Sequence, residues 1–375
     1  MKKFYHLGML VSVTAILLSS CDKENYNLIQ SFPTDAKTRI YYIAAEEVVW
    51  DYSPLGMNMF MGRPFNDVDS VWAVNLPDGP TPRIGNKNIK ARYIEYTDAN
   101  FTTKKPISPE WQHLGILGPV IRANVGDSVI AYFKNNTTIN ASIHVHGLVY
   151  DANSEGAMYN NGATGGANVE PGGQYIYKYA VREESGPTAA EQSSIAWLYH
   201  SHVNHDESDI YAGLIGAIIV TKKGMSDEDA KPIDVDREFV TLFMVIDENA
   251  SALLQSCVDA YCPGFTNPDP EDFEESNKKH SINGMIMGNL PGLEMNRDDR
   301  VRWYVITLGN EVDLHTPHWH GNTVVANNHR TDVIELLPAS MVTADMDAYN
   351  PGTWAFHCHV SDHLVAGMAS LYKVN

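Results

Sequence analysis

Ten of the fifteen histidines fall in four short motifs: His144-Val145-His146-Gly147, His200-Ser201-His202, His315-Thr316-Pro317-His318-Trp319-His320-Gly321 and His357-Cys358-His359-Val360-Ser361-Asp362-His363. Imidazole and thiolate are the side chains that bind transition metals best. On an extended strand, residues two apart share a face, so each His-x-His unit aims two rings at one point. Cys358 has the opposite parity to His357 and His359 and points the other way, and His315 is likewise opposite to His318 and His320. Parity therefore predicts two sites. One face gathers His144, His146, His200, His202, His318, His320, His357 and His359, more imidazoles than one metal takes and suited to a cluster. The other has Cys358, His315 and His363 from the following turn, with Met368 as a weak axial ligand. Two histidines, a thiolate and a distant thioether describe a blue copper electron-transfer site. A single His-x-His is weak evidence; four of them with a lone cysteine and a trailing methionine are not a coincidence of composition.

These side chains need strands to carry them. Short β runs at residues 39–44, 128–133, 174–179, 214–221, 239–246, 301–307 and 369–374 alternate with Gly/Pro/Asn/Asp turns, and long amphipathic helical patterns are scarce. The pattern predicts an all-β chain of sandwiches rather than α/β units. A charged stretch over residues 222–236 divides it, giving domains at 38–225 and 226–375. The halves echo each other. Ala123-Asn124-Val125-Gly126-Asp127 and Asn296-Arg297-Asp298-Asp299-Arg300 each precede a strand leading to a histidine motif. Ala212-Gly213-Leu214 and Ala366-Gly367-Met368 follow the later histidine pairs. A duplicated sandwich is expected.

The formal charge of −19 describes a surface that repels nucleic acid and anionic lipid and attracts cations. Lys2 and Lys3 precede an apolar run over residues 7–18, too short for a permanent membrane span and typical of an export signal over residues 1–20. Leu18-Ser19-Ser20-Cys21 resembles a bacterial lipobox, which makes Cys21 a lipid anchor, residues 21–37 its tether, and the protein an exported, membrane-anchored lipoprotein of the periplasm or cell surface. In that oxidising compartment Cys257 and Cys262 are expected to form a local disulfide. Cys358 is left without a cysteine partner, and a metal explains it.

The four motifs, in this order, resemble the copper-binding segments of the multicopper oxidase family, closer to its ceruloplasmin and hephaestin branch than to laccases. The resemblance extends from about residue 37 to the end. It includes Tyr41-Tyr42-Ile43-Ala44-Ala45-Glu46-Glu47, Trp50-Asp51-Tyr52, Leu117-Gly118-Pro119, Asp247-Glu248-Asn249, Glu275-Ser276-Asn277 and Gly309-Asn310-Glu311-Val312-Asp313-Leu314-His315. It implies two cupredoxin-like Greek-key β-sandwich domains. It implies type 1 copper on His315, Cys358 and His363 with Met368 axial, and type 2 copper on His144 and His318. The type 3 pair falls to His146, His200, His202, His320, His357 and His359. Cys358 and its bonded neighbours then form the covalent electron path to a cluster that reduces dioxygen to water. Ser201 stands where the first half would need a cysteine, so the expected count is four coppers per chain. Ceruloplasmin-like proteins close a ring of six such domains, and a two-domain chain reaches the same arrangement as a head-to-tail homotrimer.

The resemblance also covers the donor side. Glu275 and His280, in Glu275-Ser276-Asn277-Lys278-Lys279-His280, together with Asp362, match residues of the iron site of ceruloplasmin-like ferroxidases. Hard carboxylate oxygens favour the ferric product, so Fe(II) is the leading donor. Met57, Met59 and Met61, repeated by Met285 and Met287, allow a cuprous oxidase reading, and a laccase-like phenol oxidase remains open. A copper nitrite reductase or a non-enzymatic copper-binding protein fits the retained His-Ser-His and His-Cys-His pairs less well.

Overall fold

The computed structural model describes residues 36–78, 81–163, 165–203, 207–265 and 270–375. The export signal, the lipobox with Cys21 and nearly all of the tether lie outside the described residues. Every run read as β from the sequence is a strand, with edges moved by a few residues at most except at the long first strand, Thr38–Asp51.

The strands form two pairs of facing sheets. In the first half, Lys87–Tyr96, Thr38–Asp51, Ser128–Asn136 and Gln174–Ala180 lie side by side in that order, opposed by Ile121–Asn124, Ile215–Thr221, Ser194–His200 and His144–Val145. In the second half a six-stranded sheet is built on Arg237–Asp247, Arg300–Thr307 and Met341–Asp347. It faces Glu294–Met295, Ala369–Val374, Gly352–Cys358 and Pro317–Trp319. Strands alternate in burial where one face meets water: Ser128–Asn136 runs exposed-side to core-side with period two. Ile215–Thr221 is buried throughout, because one face packs into its own sandwich and the other against the second half.

That seam is a third apolar cluster joining Leu198, Ile215, Ala217 and Ile219 of the first half to Val240, Leu242, Met244 and Ile306 of the second. Buried ion pairs cross it. Arg122 binds Glu238 at 2.7 Å. Arg302 donates to Ser193 and Ser194 at 2.6 and 2.8 Å while its other nitrogens hold Asp345. His113, fully buried, accepts Val240 N–H on Nε2 at 3.1 Å and donates Nδ1–H to Glu110 O at 3.0 Å.

Cys257 and Cys262 are free thiols, not a disulfide. Cys257 lies within the helix Leu254–Tyr261 and Cys262 just past its end, and five residues along a helix turn the two side chains well apart. The Cys257 sulfur instead accepts Ile89 N–H at 3.2 Å, and both thiols pack beside Ile84 and Phe273.

Candidate metal centres

The duplication anticipated from sequence is visible residue by residue. His144 stands opposite His200 in one strand register, and His318 stands opposite His357 in the other. Adding the neighbours two residues on, His146 and His202 or His320 and His359, makes a four-imidazole group at one end of each sandwich. Ring centroids lie 5.2 Å apart for His144–His202 and His146–His200, and 5.2 and 5.1 Å apart for His318–His357 and His320–His357. The turn after each His-x-His needs glycine: Gly147 has φ +70° and lies against the Trp197 ring, and Gly321 has φ +73° against Trp354. A Cβ at either position would overlap the indole.

The eight imidazoles fall in two groups, with His144, His146 and His200 close enough to share a metal in one and His318, His320 and His357 in the other. The head-to-tail assembly that the resemblance implies would join two such groups from different subunits. Parity fixes which rings share a strand face, but each sandwich presents its group at its own sheet edge. His146 and His202 are partly exposed, and His320 and His359 are exposed, so each group opens outward.

Backbone carbonyls set the tautomers. His144, His200 and His357 donate Nδ1–H to Glu155 O, Ser201 O and Cys358 O at 2.7, 2.8 and 2.7 Å. Their Nε2 lone pairs are therefore free, and His200 Nε2 faces His146 Nε2 at 3.1 Å as His357 Nε2 faces His320 Nε2 at 3.0 Å. Burial, then neighbouring rings, pushes His200 down to about 3 and His146 down to about 4. Neutral imidazoles converging through bare nitrogens are the donor set a metal requires.

Three of the four side chains of the second predicted site, His315, Cys358 and His363, come together. His315 Nδ1 and His363 Nδ1 are 3.1 Å apart, and Cys358 Sγ lies 3.8 and 3.6 Å from them. Asp313 holds His315 by its Nε2–H at 3.0 Å, which leaves Nδ1 bare toward the sulfur. Burial opposes charge on the thiol, but the two histidines outweigh it and bring Cys358 down to about 6. Met368 is fully buried in the same core, its carbonyl accepting Cys358 N–H at 3.1 Å. The first half repeats this bond as Ser201 N–H to Leu214 O at 3.0 Å, with serine and leucine in place of cysteine and methionine. Both donor sets fit copper. The orienting role of Asp313 was missed in the sequence, although its place two residues before His315 was the available signal.

The iron-site residues are placed less completely. The His280 ring lies 5.1 Å from that of His363, nearly buried, and its Nδ1 has no hydrogen-bond partner among the described residues. Asp362 is exposed in the first turn of the helix Ser361–Val365, next to His363. Glu275 is exposed near the end of the helix Pro270–Ser276 and pairs with Lys278 at 3.3 Å. No contact joins the two carboxylates to His280 among the described residues. The alternating methionines do not form one stripe: Met287 is buried in the seam, Met285 packs against the second core, and Met61 is exposed.

Two β-sandwiches bearing a His2Cys site and two four-imidazole groups define a cupredoxin-type metalloprotein. Multicopper oxidase family models match residues 113–224 and 263–375, and the chain belongs to that family. It is 41% identical to human hephaestin over 91% of this chain and 30% of that protein, and 41% identical to human ferroxidase HEPHL1 over 90% and 29%. Human ceruloplasmin is 39% identical over 92% and 32%. The chain spans roughly 30% of the length of these relatives. A solved multicopper oxidase superposes with a TM-score of 0.58 at 18% identity, covering 92% of both chains. Copper nitrite reductase from Nitrosomonas europaea superposes at 0.56 and 17%, over 90% of this chain and 94% of that one. At such identity these two likenesses speak for the fold alone.

Proposed function

We propose that the protein is a ferroxidase-type multicopper oxidase with four coppers per chain. His315, Cys358, His363 and Met368 hold type 1 copper. His144 and His318 hold type 2, and His146, His200, His202, His320, His357 and His359 hold the type 3 pair. Copper bound there supplies a one-electron acceptor at the first site and the four-electron reduction of dioxygen to water at the cluster. The chain's own residues do the rest. Cys358 bonds the two environments covalently through His357 and His359, burial favours the neutral form of His144, His200 and His357, and their carbonyl contacts fix the tautomer and orientation.

The observation that carries the iron reading is His280. His280 Nδ1, nearly buried, has no hydrogen-bond partner among the described residues and lies on a ring 5.1 Å from that of His363, which suits it to hold a cation beside the electron-accepting site. Asp362 and Glu275 supply the hard oxygens that favour the ferric product. The name of the relative ferroxidase HEPHL1 points the same way. The test is oxygen consumption by copper-loaded protein with Fe(II), Cu(I) and a substituted phenol, beside Asp362→Ala. Preferential loss of iron turnover supports the reading. Preference for phenol or Cu(I), with Asp362→Ala inert, sinks it.

Two separated half-clusters in one chain support a head-to-tail homotrimer in which the first sandwich of one subunit meets the second sandwich of the next. Anchoring through Cys21 to an exported face belongs to the same reading.

A further inference from the structure

Two sequence motifs without an assigned role, Trp50-Asp51-Tyr52 and Asp247-Glu248-Asn249, meet beside the segment that carries Glu275 and His280. Tyr52 and Lys90 of the first half meet Glu248 of the second, the lysine at 2.6 Å, and all three are fully buried. Asn249 donates to Glu274 O at 2.8 Å and accepts from Asn277 Nδ2 at 3.0 Å, strapping the turn between the helix Pro270–Ser276 and the strand Lys278–Ile282. Lys279 then points away from its neighbour His280 into the seam, with no exposed surface. Its Nζ donates to Ser276 O at 2.6 Å and to Trp72 O at 2.9 Å.

Those two carbonyls belong to different halves of the molecule. Ser276 ends the helix that carries Glu275, and Trp72, in the short helix Ser70–Ala73, packs its ring nearly perpendicular to that of His280 at 6.4 Å between centroids. One lysine nitrogen therefore fixes both the carboxylate-bearing helix and the aromatic wall beside a histidine that also packs against His363. A lysine so deeply buried is costly to keep unless its hydrogen bonds are satisfied and useful. A merely packed position would take an apolar side chain of similar length.

We propose that Lys279 is a positioning residue for Fe(II): by clamping Trp72 and Ser276 it holds His280 and Glu275 in place for the metal. This rests on the ferroxidase reading above. Groups that hydrogen-bond metal ligands directly change metal affinity or activity by about ten- to a hundred-fold when removed, and Lys279, one contact further out, is expected near the low end of that range. Lys279 touches neither the type 1 ligands nor the cluster groups, so phenol oxidation provides a control for the copper chemistry.

The experiment compares copper-loaded Lys279→Met, Lys279→Gln and His280→Ala with the parent, reading KM and kcat for Fe(II) and for a substituted phenol, together with the blue absorption band. Glu248 keeps Lys90 and Tyr52 when Lys279 is replaced, and if the methionine variant does not fold, the glutamine variant carries the comparison. The expected result is a rise of about tenfold or more in KM for Fe(II) in Lys279→Met. Lys279→Gln, which retains a donor, is expected to fall between it and the parent, with phenol KM and the blue band unmoved. Unchanged Fe(II) kinetics in both lysine variants, with His280→Ala impaired, overturns the positioning role and leaves the ferroxidase reading standing. Equal losses for iron and phenol, or a shifted blue band, show a general structural role and overturn it too. Unchanged iron kinetics in His280→Ala removes the iron site itself, and the proposal with it.

Discussion

Cys358 Sγ lies 3.6 Å from His363 Nδ1, five residues later, because the strand Gly352–Cys358 ends at the cysteine and the helix Ser361–Val365 turns the histidine back beneath it. His315 reaches the same sulfur from the turn before Pro317–Trp319, oriented by Asp313. Replacing Cys358 with serine removes the soft ligand while leaving both imidazole groups intact. Cys358→Ser is expected to lose the blue band and turnover, with copper content falling by about one ion per chain. Metal analysis and electron paramagnetic resonance check this; a retained blue band would refute the ligand assignment.

The separation of the half-clusters gives a test of assembly that does not depend on hydrodynamics. His200→Ala disables the group in the first sandwich and His357→Ala the group in the second. Each variant alone is expected to be inactive. After co-refolding or co-expression in equal amounts, head-to-tail trimers place an intact first sandwich against an intact second sandwich at about a quarter of the junctions. Activity near that fraction supports clusters shared between subunits. Persistent inactivity of the mixture argues that each chain completes its own cluster.

Much of this was legible in the sequence, for identifiable reasons. Period-two patterning located the strands, and parity correctly set Cys358 against His357 and His359, because both depend only on local backbone geometry. Parity alone says nothing about the distance between sheet edges, so the division of the imidazoles into two groups was legible only through the resemblance, which implied a cluster shared between subunits. The free thiols Cys257 and Cys262 were misread because spacing cannot reveal that a helix separates them. The roles of Lys279 and Arg302 were invisible for a different reason: their partners, such as Trp72 and Ser193, lie far away in the chain and in the other half.

Arg302 is expected to govern how firmly the halves are joined. Its guanidinium holds Asp345 through two nitrogens at 2.7 and 2.9 Å and crosses the seam to Ser193 and Ser194. Arg302→Met retains most of the volume but leaves Asp345 without its partner. Asp345 is partly exposed, so water screens the charge left behind and the loss is expected to be on the order of 1–2 kcal/mol, less than for a fully buried pair. The expected result is a thermal midpoint lowered by several degrees in copper-loaded protein with the blue band unchanged. Loss of less than about 1 kcal/mol would place the seam's strength in its apolar cluster instead.

His113 supplies the acid sensitivity of the same seam. Burial, and secondarily the Arg237 charge, pushes it down to about 3 from an ordinary value of 6.5. Its neutral Nε2 must accept Val240 N–H, so protonation is incompatible with the folded contact. The folded value is depressed, so the unfolded chain binds the extra proton first as pH falls. The contribution is therefore fully present above 6.5 and declines through the window from 6.5 to about 3. His113→Gln lacks the titrating group. Denaturant unfolding of copper-free parent and variant between pH 7 and 4 is expected to show a shallower decline in the variant, by about one proton's linkage. The other depressed histidines are common to both proteins and cancel in the difference. Parallel curves would mean that His113 is protonated, or solvated, in the folded protein.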